Sequence, residues 1–461
     1  MSLSIQISKE ARLPETLAAD LPRAVGTRVR LRGWLHRRRD LAAVLFLVLR
    51  DRSGLAQLVI RDGTIRDSLG PYGEETVLEA VGTAVANAQA PGGVELLDPE
   101  IRPLSDPAET PPVPLWRPDV EAGLPTVLDT APVTLRHPRL SIGPRLAAAA
   151  VRGFSETLTG LGCTEIFTPK IVGSSTESGA EVFGLDYFGQ PAYLAQSPQF
   201  YKQTMVGVFE RVFEVGPVFR AEPHDTVRHL AEYISLDAEF GFVRDHRDVM
   251  VLLREVLAGM LASVLAATRE TAQGAAPDTT IGFAGPAVPW PASAPELPTV
   301  PETIPAVHFT EALRIAGEPD GEPDLSPAAE RAVGDWAARE HGSAFVFVTG
   351  YPMSKRPFYT HPQTDPEPDS RWSNSFDLLF RGTELVTGGQ RLHRHSDYLQ
   401  ALRHQGEPPE RYAGYLSAFA HGMPPHGGFA IGLERFVASL LGVANVREVT
   451  TFPRDLHRLA P

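Results

Sequence analysis

The sequence predicts an α+β protein of two domains, a small β-barrel followed by a larger domain built on an antiparallel sheet flanked by helices. Three stretches carry that prediction. Residues from about 27 to 60 hold three short runs of alternating or apolar residues separated by Arg/Asp and Ser-Gly turns, the spacing of strands in a small barrel. Residues 211–242 (RVFEVGPVFRAEPHDTVRHLAEYISLDAEFGF) hold two strand-like runs around a polar loop. Residues 428–442 (GFAIGLERFVASLLG) hold a short glycine-rich strand that runs straight into an amphipathic helix.

In the first domain Thr27 to Trp34 alternates, Val44 to Leu49 reads as a buried apolar run, and Leu55 to Ile60 alternates again. Arg28, Arg30, Arg32, Arg37, Arg38, Arg39, Arg50 and Arg52 crowd this span, against only Asp40 and Asp51. A barrel with a basic face and an exposed aromatic or two fits an OB-fold, which stacks single-stranded bases. A solvated charged face on any β-domain fits the same residues. This domain is expected to cover residues 1–105. Residues 106–130, with DPAETPPVPLWRP, are proline-rich and lack periodicity, as a hinge would be.

The second domain is expected over residues 131–461. SIGPRLAAAAVRGF begins a helix with Pro144 near its first turn, and GCTEIFTPKIV (162–172) follows as a β-rich run containing Pro169. In the hairpin, Tyr233, Ser235, Asp237 and Glu239 fall on one face and Ile234, Leu236, Ala238 and Phe240 on the other. The second face suits a core, and the first is too polar to be one. Arg220 and Glu222 leave the first strand together, and an arginine's planar fork suits a phosphate or carboxylate. Alone, the same pattern fits any hairpin with a solvated side. Val249 to Ala267 is long and apolar, but Arg254 and Glu255 interrupt it. Its apolar residues keep helical spacing, so a core helix is expected rather than a membrane span. Residues from about 270 to 305 are rich in proline and alanine, a loop-heavy insertion with no assignable function. In RGTELVTGGQRLHRH (381–395) the paired glycine lets backbone approach a ligand closely. His393 and His395 share a strand face, yet no Cys or further His stands at zinc spacing, so zinc is not expected. In the last helix Leu433, Phe436, Val437, Leu440 and Leu441 form the apolar stripe and Gly442 the stop, with Arg435 off the stripe in the first turn.

Composition sets bounds on all of this. At 461 residues, 43% hydrophobic and 21% charged, the chain has ample core for two or three domains. Its single cysteine, Cys163, excludes a disulfide framework. No basic region followed by an apolar run opens the chain, so a cytoplasmic protein is expected. A net charge of −13 argues against nonspecific nucleic-acid coating, though a local basic field still serves at short range.

The three stretches of the second domain, in order, resemble motifs 1, 2 and 3 of class II aminoacyl-tRNA synthetases: the proline strand, the FRxE hairpin (FRAE, 219–222) and the GxGxxR strand-helix (GLER, 432–435). GWLHRRRDLAAVLFLVLRDRSGLAQLVI is similar to the anticodon-binding OB domain of the aspartyl-tRNA synthetase family, and AQSPQFYKQ (195–203) resembles its aspartyl-specific form, separating it from asparaginyl enzymes. FPRDLHRLAP is also close to that family's terminus. The whole resembles the compact archaeal type.

That resemblance implies an OB-fold domain joined to a class II catalytic domain, working as a homodimer with ATP as substrate and Mg²⁺ as cofactor. It places Arg220 and Arg435 as the catalytic cations. It gives ATP contacts to Arg220, Glu222, Arg228, His229, Tyr233, Glu384 and Arg435, with Tyr233 stacked on adenine and Glu384 and Thr387 holding the metal. L-aspartate would meet Glu177, Ser197, Gln199, Lys202, Asp237 and Arg391, with SSTESGAEVF (174–183) as a lid. In the barrel, Phe46 would stack on an anticodon base, Gln57 would read its edge, and His36 would meet the third anticodon base. Within this family a Trp at the position of His36 goes with strict enzymes and His with those that charge both tRNA-Asp and tRNA-Asn. Ala88 and Gln89 stand where relaxed enzymes often carry a proline-lysine pair. In the motif 2 loop Pro223 replaces an acidic residue and Asp225 an Asn, which bears on acceptor-stem contacts. The alternatives are a strict aspartyl enzyme, an asparaginyl enzyme and a noncatalytic RNA-binding paralogue.

Overall fold

The computed structural model describes residues 13, 15–173, 181–269, 290–363 and 369–460. These fall into two compact units, one ending at Ser141 and one beginning at Ile142.

In the first unit, β1 (Arg28–Asp40), β2 (Leu45–Arg50), β3 (Leu55–Ile60), β4 (Val77–Ala86) and β5 (Val94–Pro103) close into a barrel in the order β1-β2-β3-β5-β4. Strands β3 and β5 pair in parallel and the other neighbours antiparallel. Helix α1 (Gly63–Ser68) sits between β3 and β4, started by Asp62, whose carboxylate accepts from the Thr64 and Ile65 amides. Leu31, Leu35, Leu47, Leu58, Leu78 and Leu96 fill the interior. Full closure leaves no open sheet edge. The run at β2 differs from expectation: it alternates, with Leu45, Leu47 and Leu49 inside and Phe46, Val48 and Arg50 half-exposed. Apolar content alone hid this alternation because the barrel's outer face is itself partly apolar. Short helices α2 (Leu124–Asp129) and α3 (Ala131–Thr134) follow a stretch in which Val113 and Leu115 are buried.

The second unit contains β6 (Thr164–Glu165), β7 (Ile171–Val172), β8 (Gly184–Tyr187), β9 (Gln190–Leu194), β10 (Arg211–Phe219), β11 (Glu232–Gly241) and β12 (Ala306–His308). Further on come β13 (Phe345–Thr349), β14 (Pro362–Gln363), β15 (Asp369–Ser373), β16 (Ser375–Phe380), β17 (Thr383–Arg391) and β18 (His426–Gly432). Eight of these form one sheet in the order β12-β13-β16-β17-β18-β11-β10-β6, antiparallel except at its two ends. Its helices are α4 (Ile142–Gly160), α5 (Gln199–Phe209), α6 (His246–Arg269), α7 (Phe309–Ala316), α8 (Pro327–His341), α9 (His395–Gln405), α10 (Ala413–Ala420) and α11 (Leu433–Leu441).

By length and composition α6 could cross a membrane. Here it packs as a core helix against α4, β17 and β18, with Val249, Leu253, Val256, Leu257, Met260 and Val264 fully buried. The proline run 162–172 is not a continuous strand. Only its ends, β6 and β7, pair; Pro169 has no N–H to donate between them, and Lys170 turns aside to bind Glu214 at 2.7 Å. Of the insertion, residues 290–305 are described. They run as irregular chain across the unit, tied by the Arg381 guanidinium to the Glu296 carbonyl (2.6 Å) and by Arg254 to Pro301 (3.0 Å).

Candidate active site and nucleic-acid face

The site is assembled on the centre of the sheet, where β17, β18 and β11 lie side by side. Register puts Thr387 opposite Ala430, and Asp237 opposite Ala430 from the other side, so small residues on β18 leave room above it for neighbouring side chains. The polar face of β11 is not solvated. Ser235, Asp237 and Glu239 are all buried, the last completely.

Buried charge must be paired, and here it is. The Lys202 ammonium on α5 donates to Asp237 Oδ1 at 2.9 Å and to the Phe429 carbonyl at 3.2 Å, and stands 3.3 Å from Glu239 Oε2. Arg391 donates through Nε to Glu239 Oε1 at 3.0 Å and through one terminal nitrogen to the Gly428 carbonyl at 3.1 Å. Ser235 donates to the other oxygen of Asp237 at 2.5 Å. A Cβ on Gly428 would lie 2.2 Å from Glu239 Oε2, so glycine is required for that carboxylate to lie across β18. Burial works to raise the Glu239 pKa, but Arg391 and Lys202 outweigh it and hold the carboxyl ionised, below its ordinary value. The result is a buried cluster of two cations and two anions. Ser197 and Gln199 stand at the start of α5, both buried, and the Gln199 side-chain nitrogen has no hydrogen-bond partner among the described residues. Glu177 lies outside the described residues.

On the same strands opens a cleft lined by Arg220, Glu222, Arg228, His229, Tyr233, Glu384, Thr387 and Arg435. Motifs 2 and 3 and the 381–395 strand meet here. Arg220 lies 5.6 Å from the Tyr233 ring and 3.9 Å from Glu222. Arg435 donates to the Glu384 carbonyl at 3.3 Å, and Thr387 donates to the Glu384 carboxylate at 3.0 Å. Burial, then Arg435, lowers the His229 pKa, so its ring is neutral near pH 7. The paired glycine expected to admit a ligand serves packing instead: a Cβ on Gly388 would strike the Phe376 ring at 2.4 Å. Asp225, though exposed, accepts from Arg447 at 2.8 Å, and Arg447 also donates to Asp455 at 2.6 Å.

Residues 125–456 match the tRNA synthetases of class II (D, K and N), and residues 29–104 match the OB-fold nucleic acid binding domain. The chain belongs to the class II aminoacyl-tRNA synthetases. The synthetase is 47% identical to Aspartate--tRNA(Asp/Asn) ligase of Thermus thermophilus, over 96% of this chain and 99% of that one. It is 44% identical to the ligase of the same name from Deinococcus radiodurans, over 97% and 99%. Among solved structures it is similar to asparaginyl-tRNA synthetase from Pyrococcus horikoshii with asparaginyl-adenylate (TM-score 0.83, 27% identity, 97% of this chain and 100% of that one). It is likewise similar to aspartyl tRNA synthetase from Entamoeba histolytica (TM-score 0.80, 25% identity, 99% and 95%).

As a member of this class the synthetase takes ATP as a substrate. Its OB barrel brings Phe46 and Gln57 to one outer face, since Phe46 pairs with Arg39, and Val48 with both Arg37 and Gln57. Glu95 accepts from the Gln57 amide nitrogen at 2.8 Å and from Asn87 at 2.7 Å, which fixes which end of the Gln57 amide faces outward. His36 is not on that face. It occupies a bulge between Leu35 and Arg37, is 7% exposed, and accepts from Arg50 through Nδ1 at 3.0 Å. Burial, then Arg50, holds its pKa down to about 4.

Four functional neighbours escaped the sequence reading. Glu239 was visible as one of four polar residues on β11, but alternation alone reads as a solvated face. Glu95 and Glu330 lie outside every motif. Asp377 pairs directly with Thr387 across the ladder, accepts from Arg356 at 3.1 Å through Oδ2, and has its pKa pushed up to about 6 by burial.

Proposed function

We propose that the synthetase attaches L-aspartate to tRNA-Asp, and to tRNA-Asn as well, through an aspartyl-adenylate. The single observation that carries the amino-acid assignment is the buried Lys202–Asp237–Glu239–Arg391 cluster next to the ATP cleft. Arg391 has two of its three nitrogens engaged, which leaves one terminal nitrogen for a side-chain carboxylate. Asp237 and Glu177 would hold the substrate ammonium. Ser197 and Gln199 would complete the pocket, the Gln199 amide donating its unused hydrogens. An uncharged carboxamide would gain far less from two buried cations.

In the first step the aspartate α-carboxylate attacks the α-phosphorus of ATP, and the bond to pyrophosphate breaks. Negative charge grows on the phosphate oxygens. Arg220 and Arg435, fixed before substrate arrives, offset it, and no side chain is needed as nucleophile. Tyr233 supplies a ring for adenine, and Glu222, Arg228 and His229 line the same end. The donor set suits Mg²⁺: the Glu384 carboxylate and the Thr387 hydroxyl are hard ligands that lie together at the cleft. Among the described residues no group of three acidic or histidine side chains forms a ready cage, as fits an ion completed by substrate phosphates and water. When bound, Mg²⁺ would neutralise phosphate charge. In the second step a ribose hydroxyl of the tRNA attacks the aspartyl carbonyl carbon and AMP leaves.

The tRNA range rests on His36. A neutral imidazole tucked into the bulge leaves the Phe46–Gln57 face uncrowded. Trp in its place brings a larger ring that donates only, so Arg50 would keep Glu75 as an acceptor but lose the one at position 36. We read the chain as an anticodon-binding barrel over 1–105, a hinge over 106–130 and a catalytic domain over 131–461, whereas the compact units divide at Ser141. Homodimerisation is supported by Phe167 in motif 1, an aromatic left 83% exposed, and by Phe188 at 90%. The cytoplasm is the setting that supplies tRNA, ATP and a reducing medium for Cys163.

Charging of tRNA-Asp and tRNA-Asn transcripts by wild type and His36→Trp tests this reading. Wild type should charge both within about tenfold, a gap of about 1.4 kcal/mol, and the variant should lose tRNA-Asn selectively. Wild-type tRNA-Asn charging more than about a hundredfold below tRNA-Asp would refute relaxed specificity.

A further inference from the structure

We propose that Glu330, a residue outside the three motifs, is a positioning residue that holds Arg228 and the Glu384 strand at a fixed spacing beside the ATP cleft. The proposal rests on the reading of that cleft as the ATP–Mg²⁺ site.

Glu330 stands in the first turn of α8, where Ser326 caps the helix by accepting from the Ala329 amide at 3.1 Å. One turn further on, a Cβ on Gly334 would lie 2.5 Å from the Gly382 Cα. The helix and the β16–β17 turn touch backbone to backbone there because neither residue has a side chain. Arg381 (φ 50) and Gly382 (φ 71) form that two-residue turn in the left-handed region. The contact sets Glu330, four residues before Gly334, level with Glu384, two residues past Gly382. A single oxygen, Oε2, then accepts from the Glu384 amide at 3.0 Å and from Arg228 at 3.3 Å.

This side chain is only 12% exposed and does not line the cleft, so it acts through the two groups it holds. One of them is the backbone of the residue expected to hold the metal. The other is an arginine from the irregular loop between β10 and β11, which has no ladder to fix it. A cation already set in place loses less freedom when a phosphate arrives. The carboxylate's own charge is offset by Arg228, so it adds little repulsion toward ATP.

Two variants separate the two bonds in aspartate-dependent ATP–pyrophosphate exchange. Glu330→Gln keeps an oxygen for the Glu384 amide and removes the charge facing Arg228; Glu330→Ala removes both. The expected result is an ATP KM raised about tenfold in the Gln variant and further in the Ala variant, with aspartate KM within about twofold of wild type in both. Only the Ala variant should need more Mg²⁺ for half-maximal rate. An ATP KM in Glu330→Ala within about twofold of wild type would overturn the proposal, and so would equal damage to the aspartate and ATP constants. Should the Ala variant fail to fold, the isosteric Gln variant decides alone by its ATP KM. A wild-type enzyme without exchange would overturn the reading of the cleft itself, whereas normal exchange with unchanged variants overturns only the role of Glu330.

Discussion

At the scale of single residues, the chemistry is concentrated in charges that water does not reach. Removing one member of a desolvated, hydrogen-bonded charge pair costs about 2–5 kcal/mol, much of it from the partner left behind. Arg391→Leu would remove one of the two cations beside Glu239, which is fully buried. Aspartate kcat/KM should therefore fall by orders of magnitude in pyrophosphate exchange while the ATP KM stays near wild type; equal aspartate kinetics would show that another group reads the carboxylate. Glu434 carries a different consequence. Burial pushes its carboxyl from 4.5 up to about 7, while both its oxygens accept from the Ile234 amide. A carboxyl whose pKa rises on folding adds stability that is complete below its unfolded pKa and is lost as pH rises through the folded one. Wild type should thus lose unfolding free energy between about pH 4.5 and pH 7 relative to Glu434→Gln, as read by denaturant titration across that range. Lys202 and Arg391 were legible through the QSPQxxKQ and GGQR strings. Glu330 was not, because an acidic residue in the first turn of a capped helix is ordinary, and only the Gly334–Gly382 contact gives it a task.

At the scale of elements, sequence periodicity and folded structure agree where one face alone is buried and part where both are. Helices α6 and α11 follow their apolar stripes, and Gly442 ends α11 in the left-handed region at φ 67. Strand β11 alternates as read, yet its polar side is as buried as its apolar side, since β18 offers only Gly428, Ala430 and Gly432 beneath it. Motif 1 reads as a strand by composition, but its proline interrupts the ladder. The barrel strand β2 is the reverse case, an apolar run with only one side inside. Its outward Phe46 and the Glu95-held Gln57 share one outer face of the barrel. Phe46→Ala and Gln57→Ala should each raise the tRNA KM, since a stacked base is worth about 1–3 kcal/mol, and leave pyrophosphate exchange intact. A parallel fall in both activities would contradict that division of labour.

At the scale of the whole molecule, the two-domain α+β architecture was readable from three ordered motifs and one basic barrel, because each is a local pattern. The bonds that tie the second unit's segments together were not, because they run between residues far apart in sequence: Lys202 to Asp237, Arg391 to Glu239, Arg228 to Glu330. Relatives that share this fold are named for aspartate and for asparagine alike, so the fold does not choose the amino acid. On the function proposed above, the buried cations do. The most direct measurement is tRNA-free ATP–pyrophosphate exchange with aspartate and asparagine compared at saturating Mg²⁺ATP. The account predicts robust exchange with aspartate and little with asparagine; exchange driven equally well by asparagine would contradict it.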